Sequence, residues 1–473
     1  MIGRGMTSAF LFLLVLSPLA VAGQPAPVFR PLITREEVAA LEADLMAKVK
    51  ENQERRCLRP VLRGKPLPGN ADADIVAVAQ GERFTECFDA VRSDADALRS
   101  WLGLRSHDSG PPAAVVEACV GLPEAIGRAV RHEDACSPYL FGRRAVPALV
   151  SLLRASKALT MQVRVLADAG KGDEALALAL DSLLFFQDLA RGPGAPLIAA
   201  MLGTAASRVV VEDGLRPVLS GASPALRVLE RTALEIDALL ASEPGFCDFL
   251  PYERYGMALQ LFLPVLKGKG WGPPGGFDEL GTPQDLPEGG APFGSPKWNE
   301  VALSWLGLDR VHGQMAAACK EAKGPLGMAE AFEELAGELS DRAGRSNWRR
   351  MLLVLVSPDP VLAVREWIFD ILGGIAVPAF GRYALKYRER TFLLQAVRIH
   401  VEILTMRLKT GKCPSQADLG SGLWTGFLAD RTSGEPLQVS TATDGSLSVR
   451  PSPAFAAALG LDADPLAYSF ECR

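Results

Sequence analysis

The chain has 473 residues, 48% of them hydrophobic and 22% charged, with a mean hydropathy of +0.14 and a formal charge of −5. That composition excludes a disordered chain and supplies apolar material for one large core or several smaller ones. The acidic balance, a pI near 5.7 and the lack of a basic cluster interleaved with aromatics exclude nucleic acid as a partner.

Residues 1–22 have the layout of a secretory signal peptide. Arg4 supplies the charge, 9–16 the apolar run, Ser17-Pro18 the break and Ala20-Val21-Ala22 the small residues before cleavage after Ala22 or Gly23. The apolar run is too short to span a bilayer, and no cysteine follows that a lipid anchor would use. The mature chain is therefore expected to be exported, periplasmic or extracellular, with no integral membrane segment after signal cleavage. An excess of Arg over Lys with abundant Ala, Gly and Leu is the usage of a GC-rich bacterial genome.

Within 23–144, Thr34-Arg35-Glu36-Glu37 reads as a capping box opening a helix to about residue 56, with Val38, Leu41, Leu45 and Val49 on one stripe. The Pro-, Gly- and Arg-rich stretch 58–70 reads as an extended irregular segment, and helices are expected at 71–80, 86–102 and 113–131. Within 145–266 the periodicity is strongest. One helix carries Leu149, Leu152, Leu153, Leu159, Val163 and Leu166; a second, with Asp173 as its N-cap, carries Leu176, Leu180, Leu183, Leu184 and Leu189. Together they predict an antiparallel hairpin. In a third helix at 196–211, Ala199, Gly203 and Ala206 stand at steps that let a neighbouring backbone approach. Further helices are expected at 224–242 and 252–266.

The Gly- and Pro-rich stretch 267–297 predicts a long loop. Helices resume in 298–410, at 299–306, 310–322, 327–342, 346–356 and 359–373, and a long one spans 378–410. The segment 411–473 changes character: strands are expected at 437–440, 446–449 and 467–472, making a small α+β module. The fold class that follows is mainly α, an irregular, solenoid-like array of antiparallel helical hairpins with a small C-terminal α+β module.

Export gives the eight cysteines, Cys57, Cys87, Cys119, Cys136, Cys247, Cys319, Cys413 and Cys472, the meaning of disulfide candidates. Nearest-neighbour pairing is expected, since each consecutive pair brackets one structural unit. The Cys413–Cys472 pair would close a loop of about 60 residues, worth roughly 4 kcal/mol in chain entropy. No Cys-x-x-Cys spacing or histidine cluster points to zinc or thioredoxin-like chemistry.

The turn Gly170-Lys171-Gly172-Asp173-Glu174-Ala175-Leu176 resembles the turn inside a tetratricopeptide unit, over one hairpin without a 34-residue recurrence. Gly411, Pro414, Asp430, Gly434, Pro436 and Leu437, after a long helix and before a Gly-turn hairpin, resemble the globular end of type II secretion major pseudopilins. The same ending recurs in a group of exported, uncharacterised helical bacterial proteins, which the 145–191 hairpin, the 59–70 segment and Pro251-Tyr252-Glu253-Arg254 also resemble. Cys413 and Arg431 depart from the pseudopilin pattern and the pilin methylation signal is absent, so filament assembly is not implied. The calcium that pseudopilins bind finds only Asp462 and Asp464 here.

The four histidines, His107, His132, His312 and His400, form no metal spacing. Ser106-His107-Asp108-Ser109 has triad residue types, but adjacent side chains cannot take triad geometry. No nucleophile elbow, P-loop or dinucleotide motif occurs, so no catalytic, cofactor-binding or metal residue is assigned and no cofactor is implied. Asp72 and Asp74 read as a helix N-terminus, and Glu253 with Arg254 as an ion pair or a groove lining. The stretch 259–277, apolar and then carrying Lys267, Lys269 and Trp271, has the order of an interfacial segment, although a core helix followed by a linker is favoured over peripheral membrane contact. The functional expectation is an exported non-enzymatic helical scaffold or protein-binding protein of the bacterial cell envelope. The alternatives are a hydrolase with an unrecognised active site or a carrier of an apolar small molecule.

Overall fold

The computed structural model describes residues 31–80, 84–103, 110–136, 146–192, 195, 197–221, 224–256, 258–269, 276–277, 283–284, 289–321, 327, 330–335, 337–338, 360–419, 428–431, 435–442, 446–458 and 467–472. The expected export signal lies outside the described residues.

Thr34 opens helix α1 (Arg35–Glu54) with both bonds of a capping box, its hydroxyl accepting from the Glu37 N–H and the Glu37 carboxylate accepting from its own N–H. The irregular segment that follows ends in strand β1 (Leu67–Asn70). Short helices α2 (Asp72–Gln80), α3 (Thr85–Ser93), α4 (Ala95–Gly103), α5 (Ala113–Ala118) and α6 (Leu122–Ala129) lead to β2 (His132–Asp134), which pairs in parallel with β1. Two expected helices are each split, at Asp94 and around Cys119, where the chain turns so that short apolar faces meet one core.

The predicted hairpin is α7 (Val146–Asp168) against α8 (Gly172–Asp188), turned through Gly170 at φ +76°. Lys171, not Asp173, takes the N-cap position, because the tight Gly170 turn starts the helix at Gly172. Helix α9 (Leu197–Val209) crosses α8 at Gly203, where a Cβ would stand 2.3 Å from the Phe186 carbonyl oxygen, so the small-residue face does bring two backbones together. A π-helical stretch, Val210–Leu215, carries the chain into α10 (Arg216–Gly221), and α11 (Leu226–Ala241) follows. The extra residue of the π-turn changes the ladder, and the Asp213 carbonyl there accepts from Arg164 Nη1 at 3.3 Å.

The expected helix at 252–266 is π-helical over Tyr252–Gly256 and Ala258–Phe262 before α12 (Leu263–Leu266). Within 267–297 lies a short antiparallel pair, β3 (Gly276–Phe277) and β4 (Pro283–Gln284). Two expected helices merge into α13 (Pro296–Glu321), and two more into α14 (Pro360–Thr410), a 51-residue helix that continues through Pro378. An internal proline costs about 3 kcal/mol; packing of α14 along α9, α11 and α13 outweighs it. Gly411, at φ +72°, ends α14. Helix α15 (Gln416–Leu419) precedes a three-stranded antiparallel sheet in order β5 (Gln438–Thr441), β6 (Ser446–Arg450), β7 (Tyr468–Glu471), with α16 (Pro453–Ala458) between the last two. The fold is thus mainly α with a small α+β part.

The largest core joins α2 to α11 with the C-terminal half of α14 and the sheet. A second packs α1 against Leu259, Phe262, Leu263, Val265 and Leu266 and the indoles of Trp298 and Trp305. The described apolar side chains of 259–266 are therefore spent on the protein's own interior, which removes the interfacial membrane reading for them; residues 270–275 lie outside the described residues. A third cluster gathers Phe246, Phe249, Phe332, Tyr383 and Tyr387 beside the Cys247–Cys319 disulfide. Among the described residues no helix is long and apolar enough to cross a membrane.

All eight cysteines pair: Cys57–Cys136, Cys87–Cys119, Cys247–Cys319 and Cys413–Cys472, with Cα separations of 4.8, 4.8, 6.4 and 6.1 Å. The last two are the expected neighbours. The first four cysteines nest instead, because the parallel β1–β2 pair returns Cys136 to the start of the irregular segment while α3 and the end of α5 bring Cys87 to Cys119.

Candidate functional site

Charged side chains belong in water unless paired, so the buried ones locate what the fold has been built to hold. One such place is the crossing of the 57–66 segment over α8. This strap runs antiparallel to the helix and is fixed by two arginines. Arg59 donates from Nε to Asp188 Oδ2 at 2.9 Å, and Arg63 donates from Nη1 to Asp181 Oδ1 at 2.6 Å and from Nη2 to Glu235 on α11. Spacing explains the match. Seven helical residues span about 10 Å, and four extended ones about 13 Å.

The inner rivet is dry. Arg59 and Asp188 are 0% and 1% exposed, Arg191 Nε reaches the other Asp188 oxygen at 2.9 Å, and the Arg59 guanidinium also donates to the Val130 and Ala129 carbonyls at 2.8 and 3.3 Å. Those carbonyls end α6, where a cation meets the negative end of the helix dipole. Behind it, Asp134 Oδ1 accepts from the backbone N–H of Cys57 and of Cys136, at 2.9 and 3.2 Å, holding both halves of their disulfide. Gly192, at φ +82°, faces that disulfide so closely that a Cβ would lie 2.9 and 3.0 Å from the two sulfurs.

The outer rivet is half open, with Arg63 and Asp181 21% and 18% exposed and Glu235 7%. Burial pushes the Asp181 carboxyl up to about 6 and Glu235 adds to this, while Arg63 pulls it down. Arg231 stands 3.8 Å from the second Glu235 oxygen. Two carboxylates thus share one arginine, and Arg63 occupies the space between them.

A second group of buried charges lies on α14. Arg388, Glu389, Arg390 and Thr391 are consecutive and all buried, and at 100° per residue they point to every side of the helix. Arg388 reaches Asp430 at 3.2 Å, Glu389 meets Arg208 of α9 at 2.5 Å, and Arg390 and Thr391 share Glu243 at 2.8 and 2.9 Å. Burial holds the Glu243 carboxyl above its ordinary range. Helix α14 is a spine tied by charge to the elements around it.

No family model, characterised protein or solved structure matches this chain.

The remaining residues singled out in the sequence stand apart. His132 Nε2 lies 3.0 Å from Asp74, which also meets Arg128 at 3.2 Å. Burial and the nearby Arg254 push His312 down to about 4. His400 stacks on Phe470 with Nδ1 3.0 Å from the Tyr468 hydroxyl, and burial pushes it down to about 3. Glu253 caps α9, accepting from the Leu197 N–H at 2.7 Å, and Arg254 pairs with Asp309 at 2.7 Å. Asp72 and Asp74 sit in the first turn of α2. His107 with its neighbours, Gly434, Asp462 and Asp464 lie outside the described residues. Among the described residues no group of three or more His, Cys, Asp or Glu is arranged to hold a metal.

The rivets themselves were missed in the sequence, although a signal existed. Asp181 and Asp188 fall in the buried stretch of α8 beyond its exposed first turn, and an acid in such a stretch needs a cationic partner. Two arginines four apart in an extended Pro-containing segment supply two.

Proposed function

We propose that the protein is an exported, non-enzymatic helical scaffold of the bacterial cell envelope that presents helical surfaces to a protein partner. The observation that carries this reading is how the interior charges are used: Arg59, Arg63, Arg388 and Arg390 each join separate elements of the chain. These ties join the hairpins, the strap and the 428–431 segment that leads to β5, which suits a surface that must keep its shape. Four disulfides support placement in an oxidising compartment. The tetratricopeptide-like turn at Gly170 and the pseudopilin-like ending agree with an envelope role.

The test is purification of the tagged, exported protein from its native cells under non-reducing conditions, mass spectrometry of what co-purifies, and reconstitution with that partner made separately. A stoichiometric complex of defined affinity is expected. A monomer that binds no protein but turns over an ester, amide or glycoside substrate would sink the reading.

One observation favours the rival hydrolase: Asp181 and Glu235 converge on Arg63 in a partly open site, where burial pushes the Asp181 carboxyl up to about 6. If that pair were catalytic, Asp181→Asn would abolish the turnover while leaving the fold intact.

A further inference from the structure

The four disulfides are not equally placed. Cys87, Cys119 and Cys136 are fully buried, and the Cys57–Cys136 bond lies against Gly192. Cys247 and Cys319 are half-buried against the aromatic cluster. Cys413 is exposed, in the Gly411-Lys412-Cys413-Pro414 turn that ends α14, and its partner Cys472 directly follows β7. Cys413 follows Lys412 in sequence and Cys472 stands between Glu471 and Arg473, so neighbouring charge does not single out either sulfur; the exposure of Cys413 is what opens the bond to attack.

We propose that Cys413 is a thiol-exchange site and that the Cys413–Cys472 bond is a redox clasp on β7, opened by a small-molecule thiol. A thiolate attacks Cys413 Sγ, a mixed disulfide forms there, and the S–S bond breaks with its electron pair leaving on Cys472. A second thiolate then attacks the small-molecule sulfur of the mixed disulfide and frees Cys413. Two thiols are oxidised to one disulfide, the protein disulfide is reduced to two cysteines, and both thiolates take protons from water according to their pKa.

What the clasp controls follows from the sheet. β7 is an edge strand that pairs with β6 on one side. Its Tyr468 and Phe470 pack on His400 of α14, and the disulfide ties the strand's C-terminal end to the end of that same helix. Opening the bond removes the covalent tie at the C-terminal end of β7. Only non-covalent contacts remain there, the β6 ladder, the ring contacts and the Tyr468–His400 hydrogen bond among them, so the strand frays from that end inward. This inference stands on the exposure of Cys413 and the edge position of β7, and does not depend on the scaffold reading.

The test uses the oxidised full-length protein exposed to rising reduced glutathione at about pH 8, where thiolates form. After acid quenching and maleimide labelling, peptides are read by mass spectrometry. Glutathione is expected on Cys413 and label on Cys472, with the other three pairs still closed. Hydrogen exchange of the 468–471 amides should rise at least about tenfold over the oxidised protein, together with the β6 amides that face β7, while β5 stays unchanged. The Cys413→Ser/Cys472→Ser variant should show the same raised exchange without glutathione and no response to it. Any other pair opening first, all four opening together, the adduct forming on Cys472, or unchanged β7 exchange in both reduced protein and variant would overturn the proposal.

Discussion

The two rivets of the strap use the same chemistry, an arginine on the strap and an aspartate on α8, and they behave as opposites. At Arg59–Asp188 both groups are out of water and every direction is filled by Arg191 and the carbonyls that end α6. At Arg63–Asp181 water still reaches the pair, and burial with a second acid nearby holds Asp181 at about 6. The lesson is that surroundings decide what an ion pair does. The dry pair fixes the strap out of reach of water; the half-open pair is a titrating contact on the same strap.

Breaking the dry rivet has the largest expected effect. Asp188→Asn takes from buried Arg59 and Arg191 the carboxylate that both contact, and loss of one partner of a buried pair costs about 3–5 kcal/mol. Chemical denaturation at neutral pH measures it; a loss below about 1 kcal/mol would mean that the interior readily admits water to both guanidiniums. The next largest change comes from behind the same rivet. Gly192→Ala imposes a side chain at φ +82° and pushes Cβ into both sulfurs of Cys57–Cys136, for a loss of about 2–3 kcal/mol. Free-thiol labelling should find Cys57 and Cys136 partly open in the variant, and closed bonds with wild-type stability would show that the loop yields.

The outer rivet is softer. Arg63→Met leaves Asp181 and Glu235 together without their shared cation, and a loss of about 1–2 kcal/mol is expected at neutral pH. Below the Asp181 value of about 6 that acid turns neutral, so the loss should shrink on acidification. A loss that grows instead would place the repulsion elsewhere.

The same contrast marks what a sequence can reveal. Local signals were legible: the Thr34 capping box, the Gly170 turn, the small-residue face at Gly203 and the strands of the C-terminal sheet all depend on neighbours in sequence or on one element's periodicity. What stayed hidden depends on elements far apart. Cys57 pairs with Cys136 because β1 and β2 lie side by side, and Arg63 needs an acid from α8 and one from α11. The splits at Asp94 and Cys119 and the continuation of α14 through Pro378 were misread for a related reason. Local propensity was overruled by packing that involves distant segments. Of the candidate site, the extended 58–70 segment was legible, but not the acids beneath it.

Asp181→Asn is the finest test of the comparison, because it keeps the shape of the outer rivet and removes its titration. The folded value of about 6 lies above the ordinary 3.8, so ionisation is resisted by the fold. Such a group contributes stability that is full below about pH 4 and is lost as pH rises through about 6. At neutral pH the substitution should therefore change stability by less than about 1 kcal/mol in either direction, since the amide oxygen still accepts from Arg63. On acidification from about pH 7 to about pH 4, wild type should gain on the variant, by an amount that denaturation curves at matched pH resolve. His400 and His312 act oppositely, since their lowered values remove stability as pH falls below the ordinary 6.5. They are common to both proteins and cancel in the difference. A difference that stays flat across this range would mean that Asp181 is ionised throughout and that its burial does not raise its value.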